Sequence, residues 1–591
     1  MRIRDLFEDV RHAVARTLRR VGRSLRGALG LIAIPFLAIG RLVRRIGHAG
    51  SDFWFRRSLS FRRRTALVAL VLIAYAVVRF VAVPGVPCSI SAAKECPPSD
   101  DAIALVPDDA YAYVHVNLAG GSSQFRTARD LAGVLPDFDA VEQGTLQLAG
   151  LGDLSARADI APWIGDEAAY ADIPSAAGRP RPLFLLSVAD QSAAKHFAAK
   201  LGGGSRRSST FDGVETDSYP SGLTTAELGE FLVLGRRSTV DAAVAVSTGK
   251  AHSLEGSATA DTIRGKLPDN RFADAYVSAS GISRLLARRP GLPSQLDTFT
   301  DYSASRGIAA AVVAHDDGFE LQIDSLLDPG RAKADPPFFA AFNGFTPSLA
   351  GELAPDTLAY LGIADPSATV NRLLQEADAA VPGVSAAFNR FNADLRRVGK
   401  VDLAHDVLPL LGGEAAVAIA PGRQVPYLTL IFNGVDESKA RDAVARLQAP
   451  IISSLNPGQT GQVPIFKTRK VEDITTYNVS LSPSLNLSYA VWDGKLAISS
   501  NPAGVRDAIG GDTHLAGQQS YQSAATVASG SVSALVFLNL EGLVKLAEPN
   551  GLSSIAPYAA FKTDIAKLRS LGLSVSSGED TLQTKIFLNV E

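Results

Sequence analysis

Asp159-Ile160-Ala161-Pro162-Trp163-Ile164-Gly165-Asp166-Glu167-Ala168-Ala169 returns 247 residues later as Asp406-Val407-Leu408-Pro409-Leu410-Leu411-Gly412-Gly413-Glu414-Ala415-Ala416. Other landmarks flank both copies in the same order. Upstream, Leu105 opens LVPDDAYAYVHV and Leu353 opens LAPDTLAYLGIA, with Pro107 and Pro355 separated by 248 residues. Downstream, PLFLLSVADQSAAKHFAAKL from Pro182 matches PYLTLIFNGVDESKARDAVARL from Pro426, with Asp190 and Asp436 at N-cap positions. Both series close on strand pairs, GIAAAVVAHDDGFELQIDSLL from Gly307 and GLSVSSGEDTLQTKIFLNVE from Gly572. The offset has widened to 265 there, so about 18 extra residues enter the second copy, most of them between Leu447 and Leu496. Ordered self-similarity of this kind predicts an internal duplication. Hairpin turns such as HDDGF at His315, mixed with strand–turn–helix runs such as FLVLGRRSTVDAAVAV at Phe231, predict α+β architecture. The expected fold is two tandem duplicated domains with largely antiparallel sheets packed with helices.

The signature itself has a local physical reading. Pro162 and Pro409 suit the first turn of a short helix, and Gly165 and Gly412 suit its exit, where φ turns positive. Glu167 and Glu414 recur at one place, which invites a catalytic role. A carboxylate at the start of a strand is more often a solvated or hydrogen-bonded turn residue, and that reading is the one adopted.

Working outward, repeat 1 is assigned to residues 104–327, an inter-repeat linker rich in proline to 328–351, and repeat 2 to 352–591. Residues 84–103 form a leading linker with two cysteines. Before it, Thr65 to Val83 (TALVALVLIAYAVVRFVAV) is the one run long enough to cross a bilayer as a helix. Residues 1–64 hold 16 Arg, no Lys and four acids, a balance of +12, whereas residues 84–591 hold 41 bases and 56 acids, a balance of -15. Arg45, Arg56, Arg57, Arg62, Arg63 and Arg64 stand in the 20 residues before the run, and only Lys94 in the 20 after it. The positive-inside rule then keeps the N-terminus cytoplasmic and sends the body across as a single-pass protein of the cell membrane. Arg79, near the outer end, can snorkel to the interface. The long basic leader favours an uncleaved signal-anchor over a cleaved signal peptide, and Pro87 argues against a lipid anchor at Cys88.

The arginine-rich arm carries Ile3, Leu6, Phe7, Val10, Val14, Leu18, Val21 and Leu25 at helical spacing. A basic amphipathic helix lies against anionic lipid; a nucleic-acid partner would leave that apolar stripe idle. Ala28 to Gly40, broken by Pro35, reads as an interfacial or re-entrant segment, with a second crossing as the alternative. Phe53, Trp54 and Phe55, followed by Arg56 and Arg57, read as an interface anchor. Cys88 and Cys96 are the chain's two cysteines, and outside the membrane they are expected to pair in a structural disulfide.

Reactive constellations are scarce. His115, His196, His252, His315, His405 and His514 show no ligand spacing and do not recur between copies, so no metal and no cofactor is expected. No nucleophile elbow, Ser-x-x-Lys or His-Glu-x-x-His occurs. Gly202-Gly203-Gly204 lacks the Gly-Lys-Ser/Thr ending of a phosphate loop and reads as a helix exit.

The strand opening Leu-x-Pro-Asp-x-x-Ala-Tyr and the run Pro-Trp-Ile-Gly-Asp-Glu-Ala resemble a family of membrane-anchored bacterial proteins, number 3352 among the domains of unknown function, found mainly in actinobacteria and cyanobacteria. The resemblance covers Ala104 to Glu591 and leaves out the arginine arm. It implies no activity and no catalytic residue. The expectation is an envelope protein that binds or scaffolds rather than catalyses, with an unknown envelope protein, lipid or glycan as partner. Two rival readings stand beside it: an accessory carrier of lipid or another hydrophobic ligand, and an envelope hydrolase whose site is assembled from residues distant in sequence.

Overall fold

The computed structural model describes residues 98–136, 156–175, 180–287, 305–334, 344–367, 383–411, 413–423, 425–455, 464–482, 485–511, 513–554, 558–559 and 561–590. The arm, the apolar run 65–83, Cys88, Cys96 and Gly412 lie outside these residues, as do Trp54, Arg56, Arg57, Arg62, Arg63, Arg64 and Arg79. Among the described residues no helix is long and apolar enough to cross a membrane.

Twenty strands form one mixed helix-and-sheet body in which every pairing among the described residues is antiparallel. The first ten are β1 (Ala112–Asn117), β2 (Ile164–Ile173), β3 (Arg181–Val188), β4 (Arg207–Phe211), β5 (Val214–Ser218), β6 (Thr224–Leu228), β7 (Phe231–Gly235), β8 (Ala273–Ser278), β9 (Ser305–His315) and β10 (Gly318–Leu327). The second ten are β11 (Ala359–Ala364), β12 (Glu414–Ala420), β13 (Tyr427–Phe432), β14 (Lys467–Val471), β15 (Ile474–Ser482), β16 (Leu485–Trp492), β17 (Lys495–Ser499), β18 (Ala534–Asn539), β19 (Leu568–Ser577) and β20 (Thr581–Val590).

The first ten pair in the order β4-β5-β6-β7-β3-β2-β1-β8-β9-β10. The second ten pair as β14-β15-β16-β17-β13-β12-β11-β18-β19-β20, the same order with each number raised by ten. The halves meet along β10 and β20, whose register runs from Gly318↔Asn589 to Leu326↔Thr581. The sheets expected separately are therefore one continuous sheet. Joining equivalent strands covers the long open edge each half would otherwise expose.

Helices cover both faces. One face carries α1 (Ser123–Val134) and α2 (Gln191–Gly202), and the other carries α3 (Arg237–Ser247) and α4 (Ala258–Arg264). Ser122 caps α1 and Asp190 caps α2, each side chain accepting a backbone N–H. Gly203 (φ 79°) ends α2 in the left-handed conformation that glycine tolerates. Phe197 of α2 packs with Trp163 and Val116 in one core, and Val240, Ala243 and Val244 of α3 pack on Tyr113 and Val233 in another. In the second half α5 (Glu437–Leu455) lies on the face of α1 and α2, packed on Leu496 and Val491. There α6 (Pro502–Gly510) and α7 (Gln519–Ala525) pack through Val505, Ala508 and Ala524 against Tyr360 and Phe537, on the face of α3 and α4. Between β13 and β17 the second half spends its extra residues on a longer helix and longer β15 and β16, where the sequence offset places them.

Two local expectations are corrected. Gly165 is the second residue of β2, with no positive φ; a Cβ there would strike Ser187 Oγ, so close side-chain approach, not a helix exit, requires glycine. Pro162 stands in the turn that follows a π-helical segment, Ala156–Ile160, and not in a helix's first turn. Pro409 does occupy the first turn of a short 3-10 helix, Leu408–Leu410.

Candidate functional site

The two signature glutamates do the same structural work. Glu167, the fourth residue of β2, accepts the backbone N–H of Ala102 at 2.7 Å and of Asp101 at 3.2 Å. These are N–H groups at the start of the 3-10 helix Ala102–Leu105. Glu414, the first residue of β12, accepts the N–H of Ser348 at 3.0 Å and of Leu349 at 3.1 Å, at the start of the matching 3-10 helix Leu349–Glu352. A helix start has N–H groups without internal partners, and a buried carboxylate answers two of them at once. The glutamates' own N–H groups are held by Ser187 Oγ at 2.9 Å and by Asn433 Oδ1 at 2.6 Å. Pro107 and Pro355 sit just beyond these short helices, in turns closed by Ala110 N–H to Pro107 C=O and Thr357 N–H to Ala354 C=O, both 3.1 Å.

Around Glu167 alone the capping site grows into a charged network. His115 of β1 is fully buried, its Nδ1 3.3 Å from Asp274 Oδ1 of β8 and its Nε2 3.8 Å from Glu167 Oε1. Arg264, the last residue of α4, donates to Asp274 Oδ2 at 2.8 Å and also to Asp100. Arg271 Nε donates to Asp274 Oδ1 at 2.8 Å, and the Tyr113 hydroxyl donates to Asp100. Two guanidinium groups and an imidazole thus meet three carboxyl groups beside the approach to β1.

Burial and pairing pull these groups in opposite directions. Burial pushes the Asp274 carboxyl up, but the His115 hydrogen bond and the charges of His115, Arg264 and Arg271 hold it below the usual range. Burial lowers His115, and the hydrogen bond to Asp274 with the charges of Asp100, Asp274 and Glu167 more than reverses it, leaving the imidazole raised. Glu167 is pushed up to about 7 by burial, against the pull of His115 and the two capped N–H groups. Arg264 loses to burial but is raised on balance by Asp274 and Asp100.

Asp100, His115 and Asp274 have donor atoms within 4.8 Å of one another, which is compact enough for a metal ion. The donor set does not fit one. Both Asp274 oxygens are taken by guanidinium groups, and Arg264 also spans to Asp100. A divalent ion there would sit against two fixed cations. The arrangement is an ion-paired clasp between the chain's approach to β1 and the core.

Among the described residues the second half has no counterpart. The register that sets Tyr113 opposite Tyr276 sets Tyr360 opposite Phe537, so the His115–Asp274 pair falls where Gly362 faces Leu535. Reading the sequence for recurring groups passed over this network, because its members do not recur and His115 lies 159 residues from Asp274. A signal was present: His115 and Asp274 interrupt otherwise apolar positions of two strands, where such residues are rare.

Fold and site thus define an antiparallel, helix-covered sheet body with a buried polar clasp and helix-capping glutamates. The chain belongs to the family described as protein of unknown function (DUF3352), whose family model matches residues 65–590. No curated protein matches it. Crystal forms I, IV and III of TP0453 are similar at 7, 8 and 9% identity, with TM-scores of 0.23, 0.24 and 0.24. The matches cover 42, 42 and 44% of this chain and 89, 87 and 90% of those chains. Likeness at that level carries no argument.

Proposed function

We propose that this chain is a single-pass envelope protein, anchored by residues 65–83 with its N-terminus cytoplasmic, whose duplicated outer body binds or scaffolds rather than catalyses. The carrying observation is what the repeated signature is used for: Glu167 and Glu414 are spent on backbone N–H groups, not aimed at an open cleft. The identical pairing order of β1–β10 and β11–β20 supports duplication, and with it repeats at 104–327 and 352–591. Duplication that keeps caps, prolines and glycines has kept scaffold. The family match begins at Thr65, which supports treating the apolar run as part of the protein's common plan. Charge on either side of that run supports the orientation.

The test is a cysteine introduced at Lys439, whose side chain is 70% exposed, in a Cys88→Ser, Cys96→Ser background. A membrane-impermeant maleimide should label it in intact cells. Labelling only after lysis overturns the orientation. Crosslinking in the membrane should then capture a lipid, glycan or envelope protein; turnover of a hydrolase substrate by the purified chain would overturn the non-catalytic reading.

A further inference from the structure

The two outer edges of the sheet are the equivalent strands β4 and β14, each paired on one side only among the described residues. Duplication lets them be compared place by place. The hairpin β4–β5 closes on Phe211↔Val214 and the hairpin β14–β15 on Val471↔Ile474, so their registers align. Arg207, Ser208, Ser209 and Thr210 then correspond to Lys467, Thr468, Arg469 and Lys470. On the neighbouring strands, Glu215 and Asp217 correspond to Thr475 and Tyr477. The first pair of strands carries a balance of -1 and the second a balance of +3.

Local pairing sharpens the contrast. Asp217 accepts from Arg206 and from the Ser208 hydroxyl, both at 2.6 Å, so the first edge is neutralised. Lys467, Arg469 and Lys470 face Asn478, Thr476 and Thr475, none of them acidic, and all three bases are exposed. No ion pair holds them among the described residues. The acids of the turn, Glu472 and Asp473, lie beyond the end of the strand, with Glu472 against Gly510 of α6. A base on an exposed edge ordinarily guards it against apolar strands, and β4 manages with Arg207. β14 adds two bases and drops both facing acids. A second copy of β14 is a poor occupant, since antiparallel pairing centred on the strand sets Arg469 against Arg469.

The pleat decides which anion fits. Lys467 and Arg469 share one face, in line with Thr476, Ala490 and Ala497, the face on which α6 packs. Lys470 projects to the other face, that of Tyr477 and Tyr489, where Gln448 of α5 donates to the Tyr489 hydroxyl at 2.5 Å. A single phosphate or a flat anionic surface cannot meet bases on opposite faces of one strand. An extended chain beside β14 can, because its own side chains alternate in the same way. Tyr477 stacks on Tyr489 at 4.7 Å and Phe466 lies 5.7 Å from Tyr489, which stiffens the edge.

We propose that β14 takes an acidic segment of another envelope protein as an added antiparallel strand. This rests on the binding reading above and names the partner's chemistry. The free side of β14 supplies backbone pairing, and the unpaired bases supply the choice of partner. Glutamates opposite Lys470, Arg469 and Lys467 read Glu-Glu-x-Glu along the incoming antiparallel strand. An apolar residue two places further on meets Ile465, which is 66% exposed just before β14.

The test follows the fluorescence anisotropy of a fluorescein-labelled peptide, Thr-Val-Glu-Glu-Thr-Glu-Thr-Ile-Thr, added to the full chain in neutral detergent micelles. It should bind, more weakly as salt rises, and should slow amide exchange in Lys467–Val471. Arg469→Ser with Lys470→Thr installs the residues of β4 at exposed positions. That variant should bind about tenfold more weakly with an unchanged circular dichroism spectrum. The same peptide N-methylated throughout keeps its charges, loses its backbone donors and should not bind. Equal binding of the N-methylated peptide would leave charge alone at work and overturn strand addition. Equal binding by the folded variant, or no binding by the wild-type chain, also overturns the proposal. So do oligomers of the full chain that the variant disperses, since a second copy would then hold the edge. If the peptide fails while crosslinking in the membrane still captures a partner, the edge site falls and the binding reading stands. If the peptide binds while the chain turns over a hydrolase substrate, the non-catalytic reading falls and the edge site stands.

Discussion

Glu167 and Glu414 hold equivalent places in the two halves and cap equivalent 3-10 helices, but only Glu167 has a histidine 3.8 Å from its carboxylate. The shared role and the unshared neighbour can be separated by mutation. Glu414→Ala removes a charged acceptor from the N–H groups of Ser348 and Leu349. It should cost about 2 kcal/mol, the range for a lost charged hydrogen bond that leaves buried donors unanswered. Glu414→Gln, which keeps one acceptor oxygen, should cost less. Urea titration of the full chain reads both; a Glu414→Ala midpoint equal to wild type would remove the capping role.

The pH dependence of stability follows from the neighbour. Glu167 is raised from 4.5 to about 7 in the folded protein, so the folded state binds its proton more tightly than the unfolded state. Its contribution is full below 4.5 and is lost as pH rises to about 7. His115, raised from 6.5, acts in the same sense: full below 6.5 and lost as pH rises through the higher folded value. Asp274 is lowered from 3.8, so its share is present above 3.8 and lost as pH falls through its folded value. Stability should therefore peak on the acid side of neutrality and fall as pH rises through 4.5 to about 7. Glu167→Gln should flatten that fall. Denaturant midpoints across this range check it, and a stability that climbs toward neutral pH would contradict it.

The antiparallel character was legible because hairpin turns such as His315 to Gly318 mark antiparallel neighbours, and the five landmarks that recur along the sequence fall at matching places in β1–β10 and β11–β20. Joining at β10 and β20 was not legible: Leu321 and Ile586 look the same whether they face each other or cap separate sheets. The clasp was hidden for a different reason. Asp100, His115, Glu167, Arg264 and Asp274 come from five places along the chain, and only the pairing of β1 with β2 and β8 brings them together. Gly165 misled because a glycine after a proline suggests a turn, whereas its need is room for Ser187.

Breaking the clasp at Asp274 alone should be worse than removing His115 and Arg264 together with it. Asp274→Leu leaves Arg264, Arg271 and His115 without their common carboxylate, and a buried pair broken on one side costs about 3–5 kcal/mol. Asp274→Leu with His115→Gly and Arg264→Ala installs the residues found at the matching positions of the second half, Leu535, Gly362 and Ala525. This triple variant should recover part of the loss, since it removes two of the cations that Asp274 holds and leaves only Arg271 without that carboxylate. Equal destabilisation of the single and triple variants would show that the second half's solution depends on its own surroundings.

Glycine substitutions should rank by what the new Cβ meets. At Gly165 it meets Ser187 Oγ, which can rotate away at the loss of its hydrogen bond to the Glu167 N–H, and Ser187 Cβ at 2.9 Å, which needs a small shift of β3. At Gly572 of β19 it meets the carbonyl oxygen of Ala524 in α7, which cannot move without lifting the helix off the sheet. Overpacking of this kind costs about 1–3 kcal/mol. Gly572→Ala should fall at the upper end of that range and Gly165→Ala at the lower end. Separation of α7 should also speed amide exchange in Gln519–Ala525 and the facing β18 and β19, while β1–β7 keep their protection. Exchange that rises evenly over the whole sheet would instead mean that the halves open as a single cooperative unit, with the β10–β20 seam as rigid as either of them.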